Sequence, residues 1–296
     1  LSAPAPPLIC IVGPTASGKT EFSVALAETA NGEIVSADSV QVYREFDIGT
    51  GKPSAQERSL APHHLVDVAD PRDTWDAARW AEAAVERVRD VERRGKLPIV
   101  CGGSFLWVRA LVFGLVRAPP ADPALRERHG RLAAEHGRAA LHARLASVDP
   151  ASAARLAPND FVRVSRALEV YELLGVPLSQ LQATHGFREP RFEARLYGIA
   201  HERSELDQRI ERRVERMLQA GWVEEVRSLA ARGFSESRAM ASVGYRQIYE
   251  ALPALPDAQE LKTRIVRATR VFARRQRTWL RDQPVLWLPA RSRKLP

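Results

Sequence analysis

Cysteine is almost missing from this chain. Cys10 and Cys101 are the only two in 296 residues. Each falls in or at the end of a stretch that reads as a buried strand. A disulfide framework is therefore excluded, and free buried thiols fit a reducing cytoplasm. No apolar run approaches the length needed to span a bilayer, so no membrane partner is expected. The opening Leu-Ser-Ala-Pro-Ala-Pro-Pro has no basic region, and the apolar residues after it belong to a strand; it is not read as a secretory signal. Internal repeats, coiled-coil heptads and low-complexity tracts are absent. Lysine is scarce: Lys19, Lys52, Lys96, Lys262 and Lys294 are all there are among 44 basic residues. Acids are the minority charge, 36 of them, leaving a formal net charge of +8. That balance suggests a polyanionic partner, provided the basic residues cluster.

What remains is ordinary for a globular protein: 45% hydrophobic and 27% charged residues, and length enough for a full core and two domains. Leu8 to Val12 is a nearly unbroken apolar run, the pattern of a strand buried on both faces. Gly13-Pro-Thr-Ala-Ser-Gly-Lys-Thr20 then fits G-x-x-x-x-G-K-[ST], and a helical stretch follows from about Lys19 to Ala30. In a phosphate loop of this kind the glycines let several N–H groups point at one anion, and the helix N-terminus adds its positive dipole end. Lys19 offers a mobile charge to the terminal phosphate oxygens, and Thr20 a hydroxyl to a magnesium ion. In a chain that otherwise uses arginine, a lysine here reads as a chemical requirement. The loop implies a diphosphate or triphosphate ligand without saying which.

A second strand, Glu33 to Ser36, runs into Ala37-Asp38-Ser39-Val40-Gln41. An acid at the C-terminal end of a parallel strand sits where ligands bind in open α/β sheets. Asp38 is a general base, a magnesium ligand or a helix N-cap; spacing alone leaves the three open. His63 and His64 enter a short apolar run, where adjacent side chains point to opposite faces and do not share a metal. Asp73 or Thr74 is placed to cap a helix from about Trp75 to Arg94, ended by Gly95. Leu97 to Cys101 is a further strand, followed by a second glycine turn, Gly102-Gly103-Ser104-Phe105.

At Arg117-Ala-Pro-Pro-Ala-Asp-Pro123 the strand–helix alternation stops. Four helices are predicted beyond it, at 124–135, 139–147, 150–157 and 161–174. Strand character returns at 195–200. The fold expected is α/β, a P-loop NTPase-like parallel sheet core (1–117 and 191–296) with an all-helical insertion domain (118–190). Helices at 205–220 and 222–231, a turn at 240–247 and a long helix at 261–281 complete the chain before a last strand at 285–288. The long helix holds no acid. Arg264, Arg267, Arg270, Arg274, Arg277 and Arg281 recur at steps of three and four on one face, with Ile265, Ala268, Phe272 and Trp279 opposite. The positive charge is therefore clustered.

These stretches, taken in order, resemble the tRNA dimethylallyltransferases (tRNA isopentenyltransferases). The resemblance rests on 13–20, Ala37-Asp38-Ser39, Asp47-Ile-Gly-Thr-Gly-Lys-Pro53 and His63-His-Leu65. It continues through Gly102-Gly103, Pro120-Ala-Asp-Pro123, Arg166-Ala-Leu-Glu-Val170, Val243-Gly-Tyr-Arg246 and Arg275-Gln276 with Trp279, and so covers nearly the whole chain. It implies transfer of a dimethylallyl group from dimethylallyl diphosphate to N6 of the adenine beside the anticodon in tRNA, with magnesium as cofactor. A cytoplasmic monomer is expected. It implies that Asp38 is the general base, with Thr15 and Lys19 at the leaving oxygen. Gly13, Pro14, Thr15, Ala16, Ser17, Gly18, Lys19, Thr20 and Arg209 or Arg213 would hold the diphosphate, with Thr20 also on the metal. The tRNA contacts implied are Asp38, Ser39, Val40, Gln41, Ser104, Arg126, Val162, Arg163, Val164, Ser165, Arg166 and Arg246. Arg274 and Arg277 join them from the basic helix, and the helical insert is the gripping domain. The chain departs from the family's common Gly-Gly-Thr-Gly-Leu-Tyr, having Gly102-Gly-Ser-Phe-Leu-Trp107, and carries Val40 where many members have a polar or small residue.

Two enzymatic alternatives share the loop. A small-molecule kinase would use Asp38 on magnesium and hydrolyse ATP. A prenyl transfer to free adenine nucleotide would need neither the insert nor the arginine face. A non-catalytic RNA-binding protein has no use for an intact phosphate loop beside Asp38.

Overall fold

The structure, a computed structural model, describes residues 7–186, 190–290, 292, 294 and 295. The opening segment that does not read as a secretory signal lies outside these except for Pro7. The chain divides into two compact units, one of Leu1–Val112 with Arg191–Pro296 and one of Phe113–Pro190. The second begins earlier than the expected residue 118.

In the first unit the apolar runs form the strands. The elements are β1 (Leu8–Val12), α1 (Lys19–Thr29), β2 (Gly32–Ser36), α2 (Ala55–Leu60), β3 (His63–His64), α3 (Ala77–Arg93), β4 (Leu97–Gly102) and α4 (Phe105–Phe113). The sheet is all parallel in its pairings, in the order β3-β2-β4-β1, and continues through β5 (Ala194–Ala200) and β6 (Val285–Pro289). Register is set at the centre by pairs such as Ile9 with Ile99 and Cys10 with Leu196. Parallel strands covered on both faces need apolar side chains in both directions. Ile11, Ile34, Ile99 and Tyr197 meet Phe22 and Leu26 of α1 in one buried cluster. Glu33 is the exception in β2. It is buried and held by Arg94, Lys96 and His64, which keep its carboxylate far below the usual range against the cost of burial.

Helix α3 is N-capped by Asp76, which accepts from the N–H groups of Ala78 and Arg79, and not by Asp73 or Thr74. Trp75 lies before the first turn, buried, with its backbone N–H held by the Tyr43 hydroxyl. The helix then lays Trp80 against β2, where the indole N–H donates to the Ser36 carbonyl at 2.9 Å, and stacks it on Trp107 of α4.

The second unit holds α5 (Pro123–Val148), α6 (Pro150–Arg155), α7 (Phe161–Leu174) and α8 (Leu178–His185). Gly137, at φ 81° and ψ 158°, interrupts α5, which is why its sequence reads as two helices. Leu141, Leu145, Ala153, Val164, Ala167 and Leu168 make the core of this unit. Glu169 is fully buried beside it. It accepts from the Asp122 N–H and pairs with both Arg126 and Arg166.

The chain returns to the first unit with β5, then α9 (Arg203–Gln219), α10 (Trp222–Ala231), α11 (Tyr245–Ala251), α12 (Ala258–Leu280) and β6. Helices α2, α8 and α11 are not evident in the sequence: each is six to eight residues long, too short to show a period. Helix α12 starts before the expected Leu261, at an Asp257 cap. Its buried seam is Leu261, Ile265, Val266, Ala273 and Leu280. Phe272 and Trp279, which fall opposite the arginines, are 40% and 50% exposed. Helix α12 packs on α9 and α11, and Phe272 borders a cavity. Among the described residues no helix is long and apolar enough to cross a membrane.

Candidate active site

Three strands end on one cavity of about 1130 Å³. The first, β1, delivers the 13–20 loop. Gly13 has φ 150° and Gly18 φ 87°, and Gly18 hands the chain to α1. Ala16, at φ 63°, takes a left-handed conformation that costs a residue with a Cβ about 1 kcal/mol. Lys19 donates its ammonium to the Pro14 carbonyl at 2.7 Å. The Arg209 Nε donates to the Ala16 carbonyl at 2.7 Å, and the His201 Nε2 lies 2.9 Å from the Ser17 carbonyl. The Ser17 hydroxyl is buried without a partner. Burial pulls the Lys19 ammonium down to about 8, opposed by the nearby Cys101 and Asp38. Burial thus works against the ammonium, and an anion in the cavity would favour it.

The second, β2, delivers Asp38. Its Oδ1 accepts from the N–H of Val40 at 2.9 Å and of Gln41 at 3.3 Å. No helix begins there, so Asp38 caps a turn, and the helix N-cap role is ruled out. The third, β4, delivers Gly102 to Ser104. Gly102 lies so close to β2 that a Cβ would come within 2.0 Å of the Ala37 carbonyl. The Ser104 hydroxyl accepts the Ser39 N–H at 3.0 Å, tying this turn to the residue after Asp38.

A fourth segment, 47–53, closes the cavity. Glu225 accepts the N–H groups of Asp47 and Ile48, and the Tyr245 hydroxyl accepts that of Gly49 and donates to Glu225. Gln41 donates to the Gly51 carbonyl, and Arg213 to that of Thr50 at 3.2 Å. Arg209 thus lies on the 13–20 loop and Arg213 on the 47–53 loop. Thr15 to Thr20, Asp38 to Gln41 and Ser104 line the cavity with both arginines, and Phe272 and Gln276 come to it from α12. Gly13 and Pro14 are not among its lining residues.

Residues 41–283 match the model of a family described as IPP transferase. The chain belongs to the IPP transferase family. A protein of Sorangium cellulosum (strain So ce56) named tRNA dimethylallyltransferase is 60% identical over 289 residues, 97% of this chain and 92% of its own length. The crystal structure of the full-length tRNA isopentenylpyrophosphate transferase of Bacillus halodurans is similar at a TM-score of 0.70 and 35% identity, covering 96% of this chain and 90% of that one. A eukaryotic dimethylallyltransferase acting on tRNA is similar at a TM-score of 0.78 and 26% identity, over 96% and 73% of the two chains. The parallel sheet with its added helices is thus a family property.

The other assigned residues of this family member lie elsewhere. Arg274 and Arg277 line a second groove, of about 790 Å³, with Arg267 and Arg281. None of these four has an ion pair among the described residues. The stripe is not uniformly free, as an acid-free helix suggested: Arg264 pairs with Glu260, and Arg270 with Asp207 and Glu211 of α9. Arg246 is exposed beside Glu250. In the helical unit Val162 is 74% exposed, and Arg163 bonds Asp160. Val164 and Ser165 are buried, Val164 in the core and Ser165 against His129, so neither offers its side chain to RNA. That corrects the assignment of the whole 162–166 segment: after its exposed first turn α7 is buried on most sides, at Val164, Ser165, Ala167, Leu168, Glu169 and Val170.

Sequence reasoning missed Glu169, which restrains Arg126 and Arg166, and the Glu225–Tyr245 pair that holds the 47–53 loop. Gln276 stood in a matching stretch with no role attached to it. The two glycines of Gly49-Thr-Gly51 were a usable signal. A Cβ on Gly49 would collide with Trp222 and one on Gly51 with Arg213, so both mark close packing.

Proposed function

We propose that this chain transfers a dimethylallyl group from dimethylallyl diphosphate to N6 of the adenine on the 3′ side of the anticodon in tRNA, releasing diphosphate. The observation that carries this is the meeting of the 13–20 loop and Asp38 on one cavity, in a chain of the IPP transferase family.

The allylic C1–O bond breaks, its electrons leave on the diphosphate, and N6 bonds to C1. Lys19, Arg209 and the loop N–H groups receive the negative charge that develops on the leaving group. Thr15 sits beside the departing oxygen. Asp38 accepts the N6 proton, since an aromatic amine is a poor nucleophile until it is deprotonated. One Asp38 oxygen bonds two backbone N–H groups, which fixes the carboxylate without consuming it.

Magnesium fits the site chemically. The Thr20 hydroxyl and the Asp38 carboxylate both line the cavity beside the loop. Such a sparse oxygen set suits an ion that keeps its waters and binds mainly to substrate phosphate. Thr20 would hold it. When bound it neutralises charge on the diphosphate.

The tRNA contacts proposed are Ser39 to Gln41, Ser104 and Arg246 near the cavity, and Arg274 and Arg277 on the groove. In the helical unit they are Val162, Arg163, and Arg126 and Arg166 by the edges that Glu169 leaves open. A cytoplasmic monomer is the form in which we expect the enzyme to work. The test is mass analysis of tRNA nucleosides after incubation with dimethylallyl diphosphate and magnesium. A prenylated adenosine is expected. ATP hydrolysis without it would favour a kinase, and prenylation of free adenine nucleotide alone would move the acceptor.

A further inference from the structure

The geometry points to Gln276 as a positioning residue of the transfer. Its side-chain amide holds the 13–20 loop and the Gly103 turn at a fixed separation, and so sets where the diphosphate lies relative to Asp38. This rests on the reaction proposed above.

Gln276 reaches the site from α12, far along the chain from both loops. Its Oε1 accepts the Thr15 N–H at 2.8 Å and its Nε2 donates to the Gly103 carbonyl at 3.0 Å. Thr15 is the residue assigned beside the leaving oxygen. Gly103 leads into Ser104, whose hydroxyl holds the N–H of Ser39, next to Asp38. A continuous set of bonds therefore runs from the donor loop through Gln276 to the base. Only a carboxamide carries a donor and an acceptor side by side in one neutral plane; Glu has acceptors alone, and Lys donors alone. Gly103 is shaped to it: a Cβ there would come within 2.4 Å of the Gln276 Nε2.

The bond to Thr15 admits a rival meaning. Gln276 Oε1 could stand in for a phosphate oxygen and be displaced when donor binds. The second bond, to Gly103, argues against this: a placeholder has no need of a backbone carbonyl on another loop. The two meanings differ in sign. Losing a staple misplaces the reacting groups, and a displacement near 1 Å can cost about 100-fold in rate. Losing a placeholder frees a donor N–H and tightens donor binding.

The experiment compares wild type, Q276A, Q276E, G103A and the double variant Q276A/G103A. It measures single-turnover prenylation of tRNA, affinity for dimethylallyl diphosphate, tRNA affinity and melting temperature. We expect Q276A to slow the single turnover by about 10- to 100-fold, with tRNA affinity within about twofold of wild type. Q276E keeps the bond to Thr15 but adds a negative charge facing the diphosphate, and should bind donor more weakly than Q276A. G103A pushes on the amide and should copy the Q276A defect. In the double variant the space is vacated, so its rate should equal that of Q276A alone. Additive losses would overturn the proposal. So would tighter donor binding by Q276A, or a lowered melting temperature with an unchanged rate. A wild-type chain that prenylates no tRNA would remove the reaction and this role together. An active wild type matched by Q276A would remove this role alone.

Discussion

Helix α12 separates two basic regions, and they hold their charge differently. On the cavity side, Lys19, Arg209 and Arg213 are each bonded to a backbone carbonyl, those of Pro14, Ala16 and Thr50. On the groove side, Arg267, Arg274, Arg277 and Arg281 have no acidic partner among the described residues. A neutral carbonyl steadies a cation without cancelling it, so the enclosed charges stay available to an anionic ligand. Enclosure has a consequence for lysine: desolvation makes its proton conditional on pH. An exposed guanidinium keeps its proton at any working pH but is screened by salt. Donor binding should therefore respond to pH and little to salt, and RNA binding the reverse.

The hardest blow to the cavity side removes the group that uses it. Asp38→Asn keeps the turn, because an amide oxygen still accepts the Val40 and Gln41 N–H groups. It cannot take the N6 proton. The single-turnover rate should fall by about 10²–10⁴-fold with donor affinity little changed. If Asp38 instead serves magnesium, the same variant would bind donor weakly and recover with excess magnesium. A near-normal rate would remove it from the chemistry.

Lys19→Ala tests the enclosed charge itself. A charge-assisted hydrogen bond is worth about 1.5–3 kcal/mol, so donor affinity should drop by about 10- to 100-fold while tRNA affinity holds. Equal loss of both would contradict the separation of the two regions.

The pH response sharpens the contrast. In the free enzyme burial has lowered Lys19 to about 8. Bound diphosphate favours the ammonium and raises that value. Affinity linked to the proton is then full below about pH 8 and is lost as pH rises through and beyond it, approaching tenfold per pH unit. Donor titrations at pH 7 to 10 should show the loss in wild type and not in Lys19→Ala. A flat wild-type profile would mean that Lys19 does not carry the donor's charge.

The cavity side was legible in the sequence because its chemistry is local. The motif at 13–20 and the acid ending a strand each lie within a few residues, and parallel strands bring their C-terminal ends to one edge whatever connects them. What escaped were the bonds between distant segments. Gln276 and Thr15 meet across most of the chain, and Glu225 reaches the 47–53 loop from α10; no spacing rule encodes such pairs. The arginine face was legible as a stripe but not as to pairing. The acids that hold Arg270 are on α9, and a search within one helix cannot find them. Burial was lost in the same way at Val164 and Ser165, where a motif supplies a run of letters and the helix turns two of them inward.

The smallest effect belongs to the groove. At about 100° per residue, Arg277 and Arg274 point well away from Gln276, so neither helps to shape the cavity. Exposed arginines that meet RNA phosphates act by releasing counterions. Removing one such arginine should lower the slope of log affinity against log salt by about 0.7–0.9. Arg274→Ala and Arg277→Ala should each do this, weakening binding to many RNAs alike and leaving donor affinity unaltered. Arg270→Ala is the internal control, because its charge already faces Asp207 and Glu211 and few counterions remain to be released. Its slope should change less than that of either neighbour. Equal changes at all three would mean that pairing across α9 does not withhold Arg270 from RNA. No change at Arg274 and Arg277 would mean that the open stripe is a solvated face, and that the net positive charge of the chain meets RNA elsewhere.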